Sequence, residues 1–155
     1  MIPALVTISG SPWPVLPQGV HPADLGAVAG RFATNPWRRS LFDGLIDGVR
    51  SLLTAGCSRI FLDGSYVTGK PNPQDFDACW DPTDVDSRKL DPVFLDFSNQ
   101  RATQKARFKG EFFPSSMTCN DVGQSFVEFF QMDRYSGHKK GIVIVELHTD
   151  PMLQL

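Results

Sequence analysis

The stretch that decides the fold is residues 61–80, which read FLDGSYVTGKPNPQDFDACW. A short apolar strand ends in Gly64-Ser65, a loop with two prolines follows, and a second apolar strand contains Asp75 and Asp77. Side chains two positions apart on a strand point to the same face, so the two carboxylates lie together while Phe76 faces the core. Two like charges held this close repel one another, and a divalent cation between them relieves the repulsion.

We therefore expect Asp75 and Asp77 to bind Mg²⁺ or Mn²⁺, because these hard cations prefer oxygen ligands and accept substrate phosphates as further ligands. A solvated acidic face is the alternative for a bare D-x-D pattern. The Gly64-Ser65 turn favours the metal site, since glycine lets a ligand approach the backbone closely and amides after a strand can bind phosphate oxygens. Lys70, in the loop between the two strands, is a candidate for a further phosphate contact.

A site for two metal ions needs a third acid from another strand. Glu111 is the leading candidate, because it lies in RFKGEFFP, a predicted short strand that should neighbour the strand of the aspartates. Asp96 is the alternative, although it lies in a predicted helix. The sequence thus predicts a site made by Asp75, Asp77 and one of these two acids.

The composition is that of a single domain. The chain has 155 residues and three widely spaced cysteines, and we expect one domain over residues 1–155. The formal net charge of −2 by itself argues neither for nor against a nucleic acid, and no DNA partner is predicted. The cysteines form no CxxC pair, which argues against a zinc site and suits reduced thiols in a cytoplasmic protein. We find no signal-peptide pattern and no apolar run of the ~20 residues that span a membrane, so no membrane partner is predicted.

The spacing of apolar residues predicts an α+β fold in the order α-β-β-α-β-α-β, with a small mixed sheet flanked by helices. Residues 1–35 are rich in proline and are predicted to form a mostly irregular arm packed on the body, with a short helix over 24–32. The first core helix follows the N-cap Asn35. Further helices are predicted over 92–107 and from a cap at Asn120. The four predicted strands read RIFLDGS, DFDACW, GEFFPSS and KKGIVIVELH.

The pattern LDGS, then nine residues, then DFDA is similar to the signature of the nucleotidyltransferase superfamily with the DNA polymerase beta type of palm. Nearly the whole chain resembles a small prokaryotic and phage group within that superfamily. The segments that carry this resemblance are LPQGVHPADL, RFATNPWRRSLFDGL, AGCSRIFLDGSYVTGKPNPQDFDACWD and KGIVIVEL. The resemblance implies a minimal, single-domain nucleotidyltransferase fold.

The resemblance also implies a role for each candidate residue. Asp75 and Asp77 would bind two Mg²⁺ ions, and Glu111 would hold the ion nearer the attacking group. Gly64 and Ser65 would bind the β- and γ-phosphates of a nucleoside triphosphate (NTP). The product would be a nucleotide attached to a hydroxyl of a protein or an RNA. Small members of the superfamily are often toxins or antitoxins, so a toxin–antitoxin or phage-defence pair is the implied setting.

Two departures from the family pattern leave alternatives open. Asp63 stands where the superfamily usually has an apolar residue, and the alternation of the strand allows it to face the site or to point away from it. We also expect no further helical domain, so the acceptor would be held by a partner, by an oligomer mate or by the N-terminal arm.

The leading hypothesis is an Mg²⁺-dependent nucleotidyltransferase. The second is a non-catalytic nucleotide-binding or antitoxin-like module, although a pure binder has no need for three acids.

Overall fold

The computed structural model describes residues 1–154, and within them four α-helices surround one five-stranded sheet. The α+β class and the small mixed sheet are therefore confirmed. The elements in chain order are β1 (Val20–Pro22), α1 (Leu25–Phe32), α2 (Pro36–Thr54), β2 (Arg59–Asp63), β3 (Phe76–Trp80), α3 (Ser98–Phe108), β4 (Gly110–Pro114), α4 (Phe126–Phe130) and β5 (Ile142–Glu146). Short 3-10 turns lie at Gly64–Val67, Pro92–Leu95 and Pro151–Leu153.

The strands of the sheet follow the order β1-β5-β2-β3-β4. Strand β2 runs antiparallel to both of its neighbours, β5 and β3, whereas the pairs β3–β4 and β1–β5 are parallel. The strand of the two aspartates, β3, therefore lies between the strand that leads into the Gly-Ser turn and the strand that carries Glu111.

Helix α2 forms because its start and its buried face are both encoded locally. The side chain of Asn35 accepts a hydrogen bond from the amide of Arg38, and Pro36 occupies the first turn, where its missing N–H is not needed. The buried face of the helix consists of Leu41, Phe42, Leu45, Val49 and Leu52. Burying each of these side chains stabilises the fold by about 1.5–3 kcal/mol.

The core lies between the helices and one face of the sheet, and aromatic rings fill its centre. The ring of Phe112 on β4 meets Phe76, Phe94 and Phe108 at centroid distances of 5.2, 5.2 and 5.4 Å, each in an edge-to-face arrangement. This is a favourable geometry for aromatic pairs, and it fixes β3 and β4 side by side. All four rings are fully buried or nearly so.

The N-terminal arm is more ordered than the sequence predicts. Short helix α1 is present, and the side chain of Asp24 caps it by accepting from the amide of Ala27. The prediction of an otherwise irregular arm misses β1, which adds a parallel edge strand beside β5. Pro22 is tolerated there because a strand at the edge of a sheet can spare one donor. The arm buries Val15, Leu16, Leu25, Val28 and Phe32 in or against the core.

The helix predicted over 92–107 is divided in the structure. Pro92–Leu95 forms a 3-10 turn, and α3 begins only at Ser98. The reason is local: the side chains of Asp91 and Asp96 accept hydrogen bonds from the amides of Val93 and Ser98, and each starts a new turn. Asp96 therefore does not lie in a helix.

The last predicted helix begins later than expected. Its cap is Ser125, which accepts from the amide of Glu128 while the carboxylate of Glu128 reaches back to Ser125. Asn120, the predicted cap, instead accepts from the amides of Val122 and Gln124 and closes a turn of its own. A reciprocal pair of bonds satisfies two helix-end donors, which explains why Ser125 is the cap.

Two further properties concern the described residues as a whole. No helix within residues 1–154 is long and apolar enough to cross a membrane. Cys57, Cys79 and Cys119 are free thiols, and the first two are buried.

Candidate functional site

Acidic side chains form a row across three neighbouring strands. Asp63 on β2 is the register partner of Asp77 on β3, and Asp77 is in turn the partner of Glu111 on β4. Residues opposite one another in adjacent strands project to the same face, so these three carboxyl groups lie on the face opposite to Phe76. Asp75 immediately precedes β3, two residues from Asp77, and extends the acidic group toward the loop.

A cavity of about 460 Å³ lies beside this row. Its lining consists of Trp13, Gly64, Ser65, Lys70, Gln74, Asp75, Asp77, Phe129, Phe130, Met132, Asp133, Arg134, Tyr135 and Lys140. Every site residue predicted from the sequence lines this cavity except the two candidates for the third acid, Glu111 and Asp96. Its volume falls in the range of about 300–1,000 Å³ that is usual for small-molecule sites.

Gly64 brings the turn after β2 against the aspartate strand. Its φ is +72°, and a Cβ atom at this position would lie 2.2 Å from Oδ2 of Asp77. Any other residue would be both strained and in collision, so glycine is required for this close approach. Ser65 follows, and its carbonyl accepts from the amide and the hydroxyl of Thr68. Among residues 1–154 the Ser65 hydroxyl itself has no hydrogen-bond partner, which leaves it available at the cavity wall.

Arg38 holds the loop after this turn in place, a role that the sequence did not reveal. Its buried guanidinium donates to the carbonyls of Tyr66, Thr68 and Lys70 at 2.8, 3.0 and 2.5 Å. It also donates to the carbonyl of Phe32 at the end of α1. One side chain thereby fixes both the backbone that follows the Gly-Ser turn and the position of Lys70.

Asp75 and Asp77 carry unpartnered carboxylates. Within residues 1–154 no side chain forms a hydrogen bond or an ion pair with either one, and both are only partly exposed. Burial and then the charge of Glu111 raise the pKa of Asp75. Burial, then the charges of Asp75 and Glu111, raise the pKa of Asp77 well above its usual range. Two desolvated carboxylates that no ion pair neutralises among the described residues are a donor set that fits a hard divalent cation.

Asp63 faces the acidic row, which settles the alternative that the alternation of the strand left open. It is fully buried, the thiol of Cys79 donates to its Oδ2 at 3.5 Å, and its Oδ1 has no partner among the described residues. Burial and then the charge of Asp77 raise the pKa of Asp63 well above its usual range. Burial beside Asp77 therefore favours the protonated, neutral form of Asp63, which limits the negative charge that this residue adds to the row.

Glu111 lies beside Asp77 on the neighbouring strand β4 and already has partners. Its carboxylate forms ion pairs with Arg101 at 3.1 Å and Lys105 at 2.9 Å, both from α3. Asp96, the alternative third acid, accepts from the hydroxyl of Ser98 and does not line the cavity. Among residues 1–154 no three His, Cys, Asp or Glu side chains are grouped so that they could hold a metal ion. The aspartate pair thus fits a cation, and a third acidic ligand stays a prediction.

Three cations face the cavity, and the sequence had singled out one of them, Lys70, as a phosphate contact. Arg134 and Lys140 come from the segment before β5, where the sequence indicates only a basic patch. Lys140 is buried, and this burial lowers its pKa. The negative charges of Asp133, Asp63 and Asp77 act in the opposite direction but do not outweigh the burial. The sequence gives one indication that Lys140 faces the cavity. It lies two residues before a buried strand, where a lysine side chain has little room to reach solvent.

The comparisons with known proteins give a family but no activity. A family described as "Family of unknown function (DUF6932)" matches residues 11–146. No curated protein and no solved structure gives a significant match. The matched region spans every residue that lines the cavity, from Trp13 to Lys140.

Proposed function

We propose that this chain, which belongs to the DUF6932 family, is an Mg²⁺-dependent nucleotidyltransferase that moves a nucleoside monophosphate from an NTP to a hydroxyl of a protein or an RNA. The observation that carries the proposal is the pair Asp75 and Asp77, whose desolvated, unpartnered carboxylates face a cavity beside Gly64 and Ser65. The sequence resemblance supplies the reaction type and the setting, a toxin–antitoxin or phage-defence pair.

The phosphates of the substrate would be bound by the turn after β2. The first amides of a 3-10 turn have no partner within the turn, and the Ser65 hydroxyl adds a donor beside them. Lys70, Arg134 and Lys140 place three cations around the same cavity. Charge-assisted hydrogen bonds from such groups to phosphate oxygens are about twice as strong as neutral ones.

Asp75 and Asp77 would hold Mg²⁺ or Mn²⁺, which when bound neutralises charge on the transferred phosphoryl group and on the leaving pyrophosphate. Because the pKa of Asp77 is well above its usual range, protons compete with the cation for this carboxylate. Affinity for the cation should therefore rise as the pH increases. The residues of the chain contribute by orienting the phosphates and by excluding water from the half-buried carboxylates.

A second candidate function is nucleotide binding without turnover. The observation that favours it is Glu111, whose carboxylate is occupied by Arg101 and Lys105 rather than turned to the cavity. A binding module needs the phosphate contacts of Gly64 and Ser65 but not a third acid. In this case the protein would act as a nucleotide sensor or as an antitoxin-like partner of another protein.

The test is a transfer assay with α-labelled NTPs, Mg²⁺ and a cell extract. We expect label to appear in a protein or an RNA, which protease and nuclease treatment will distinguish. Transfer should be lost with EDTA and in Asp77→Asn, which removes the charge and keeps the shape of the side chain. The matched control is Asp84→Asn, which neutralises an exposed acid outside the cavity and should leave transfer unchanged.

Other outcomes would decide against the enzyme. Tight NTP binding without transfer, unchanged in Asp77→Asn, would favour the binding module. Transfer that persists in Asp77→Asn would contradict the role of the aspartate pair. Glu111→Gln separates the two functions further, because an enzyme that uses the third acid loses transfer in this variant, whereas a binder retains its NTP affinity.

A further inference from the structure

Two aromatic rings at the cavity have no part in the proposed chemistry. Trp13 comes from the N-terminal arm and Tyr135 from the segment between α4 and β5, and their centroids lie 5.3 Å apart with the ring planes at 85°. Tyr135 is 48% exposed, as is Phe129 on the same wall of the cavity. Because the two planes are nearly perpendicular, the pair offers the face of one ring and the edge of the other to a planar ligand.

The backbone holds Trp13 in position. The amide of Gly69 donates to the carbonyl of Pro14 at 2.8 Å, and Val15 forms a bridge with Thr68. The tryptophan is therefore tied to the same loop that carries Lys70.

Tyr135 lies on a turn that is held as firmly. Asp133 is buried and accepts from the hydroxyl of Ser136, while the amide of Lys140 donates to the carbonyl of Gln131. The arm and this turn meet where Gly10 faces Ser136, so closely that a Cβ atom on Gly10 would lie 3.2 Å from Cβ of Ser136. The two rings are thus presented by one continuous surface made from both ends of the chain.

A cation covers one face of each ring. The Nζ atom of Lys70 lies 5.1 Å from the ring centroid of Trp13, and the guanidinium of Arg134 lies 5.5 Å from that of Tyr135. At exposed sites a cation–π contact is weaker than a charge-assisted hydrogen bond to phosphate. When phosphates enter the cavity, both cations gain by turning toward them, and this uncovers the ring faces for a planar group.

We propose that Trp13 and Tyr135 form the stacking site for the base of the substrate and that this base is a purine. The inference rests on the proposed function for the phosphates. A purine is favoured because its larger ring system buries more area against the two side chains. Gln74 is the one neutral amide side chain in the lining. The cavity wall therefore offers aromatic rings for stacking rather than a set of amide groups that could read a base by hydrogen bonds. Stacking of this kind tolerates different bases, and we expect adenine and guanine to bind similarly.

The experiment measures binding of three probes to the 155-residue chain by calorimetry with Mg²⁺ present. The probes are an ATP analogue with a methylene group between the α- and β-phosphates, inorganic tripolyphosphate, and adenosine. We expect the analogue to bind at least about tenfold more tightly than tripolyphosphate, in line with the usual effect of base stacking. Trp13→Ala and Tyr135→Ser should each remove most of this advantage and change the affinity for tripolyphosphate less than about twofold. Trp13→Phe and Tyr135→Phe keep a ring at each position and should retain most of the advantage.

The three probes separate failure of this inference from failure of the proposed function. Equal affinities for the analogue and tripolyphosphate would overturn the stacking site and leave the phosphate site standing. The same conclusion follows if both ring-removing variants leave the ratio of these two affinities unchanged. If adenosine binds and loses affinity in Tyr135→Ser while tripolyphosphate does not bind, the stacking site is supported and the proposed function is overturned. If none of the probes binds, both are overturned. Tyr135 is exposed, so its serine variant keeps the test decisive if Trp13→Ala fails to fold.

Discussion

At the scale of single residues, the buried carboxyl group of Asp63 governs how stability depends on pH. Its pKa is raised well above the usual range by burial and by Asp77, whereas in the unfolded chain it titrates near pH 4. Between these two pKa values the folded protein therefore binds up to one proton more at Asp63 than the unfolded chain. The free energy of unfolding consequently falls as the pH rises from about 4 toward the folded-state pKa.

Asp63→Asn tests this linkage, because asparagine keeps the shape of the neutral carboxyl group. We expect the free energy of unfolding of the variant to depend less on pH than that of the wild type, and to equal or exceed it at pH 8. Urea unfolding between pH 4.5 and 8 in EDTA measures both. Asp84→Asn, at an exposed position, should follow the wild-type curve. Parallel curves for Asp63→Asn and the wild type would show that Asp63 is not protonated in the folded protein.

Gly64 is a second residue whose identity the site requires. In Gly64→Ala the new methyl group would meet Oδ2 of Asp77 in a left-handed backbone conformation, so we expect a loss of about 1–3 kcal/mol in the free energy of unfolding. Tripolyphosphate affinity should fall as well, because Asp77 and the turn must separate. Gly123→Ala is the matched control, since its φ is +78° with open space around it. It should show the conformational cost alone, and an equal effect in both variants would contradict a role for the contact with Asp77.

The sequence reveals the site residues whose signal is local. Asp75, Asp77, Gly64 and Ser65 are recognisable because strand alternation and turn composition act over a few positions. The raised pKa of Asp63 was not predictable, since it depends on burial beneath elements distant in the chain. The same holds for Trp13, Arg134, Tyr135 and Lys140, which reach the cavity only through the arm and the segment before β5.

At the scale of elements, helix α2 depends on glycines as much as on its leucines. A Cβ atom on Gly44 would lie 1.7 Å from the carbonyl oxygen of Phe108, and one on Gly48 would lie 2.4 Å from the ring of Phe112. Alanine has the better helix propensity by about 1 kcal/mol. These glycines therefore serve close packing of α2 on α3 and β4.

We predict that Gly44→Ala lowers the free energy of unfolding by about 1–3 kcal/mol, because overpacking outweighs the gain in propensity. Urea unfolding measures this. Gly30→Ala in α1 supplies the comparison: nothing lies within 4 Å of its Cβ position, so it should stabilise the protein by about 0.5–1 kcal/mol. A Gly44→Ala variant as stable as the wild type would mean that α2 can move away from Phe108 without cost.

The same elements show where prediction from the sequence succeeds and where it fails. The spacing of leucines identifies α2, and the apolar runs identify β2 to β5, because these patterns repeat within each element. The interruption of the helix predicted over 92–107 continues into the first turn of α3, where residues 99–101 adopt left-handed backbone angles with φ between 50° and 62°. Nothing in the apolar pattern signals that conformation, which accompanies the ion pair of Arg101 with Glu111. Strand β1 exists only through its pairing with β5.

At the scale of the whole molecule, the cavity is assembled from three parts that are far apart in the chain. The sheet supplies the acids, the N-terminal arm supplies Trp13, and the segment before β5 supplies Tyr135 and Lys140. Arg38 links the N-terminal arm to the sheet, because its hydrogen bonds join the end of α1 to the loop of Lys70 that follows β2. Stability of the arm and order of the phosphate-binding loop should therefore be coupled.

Arg38→Met is the last prediction and tests that coupling. Methionine fills much of the space but leaves up to four buried carbonyls without a donor, so we expect the free energy of unfolding to fall by about 3 kcal/mol or more. Amide hydrogen exchange should quicken in residues 66–70 and also in α1, and tripolyphosphate affinity should drop. Arg39→Met removes an exposed arginine next to it and should change none of these. If exchange quickens in the loop while α1 stays protected, then Arg38 orders the loop alone, and the arm is attached to the body independently of the site.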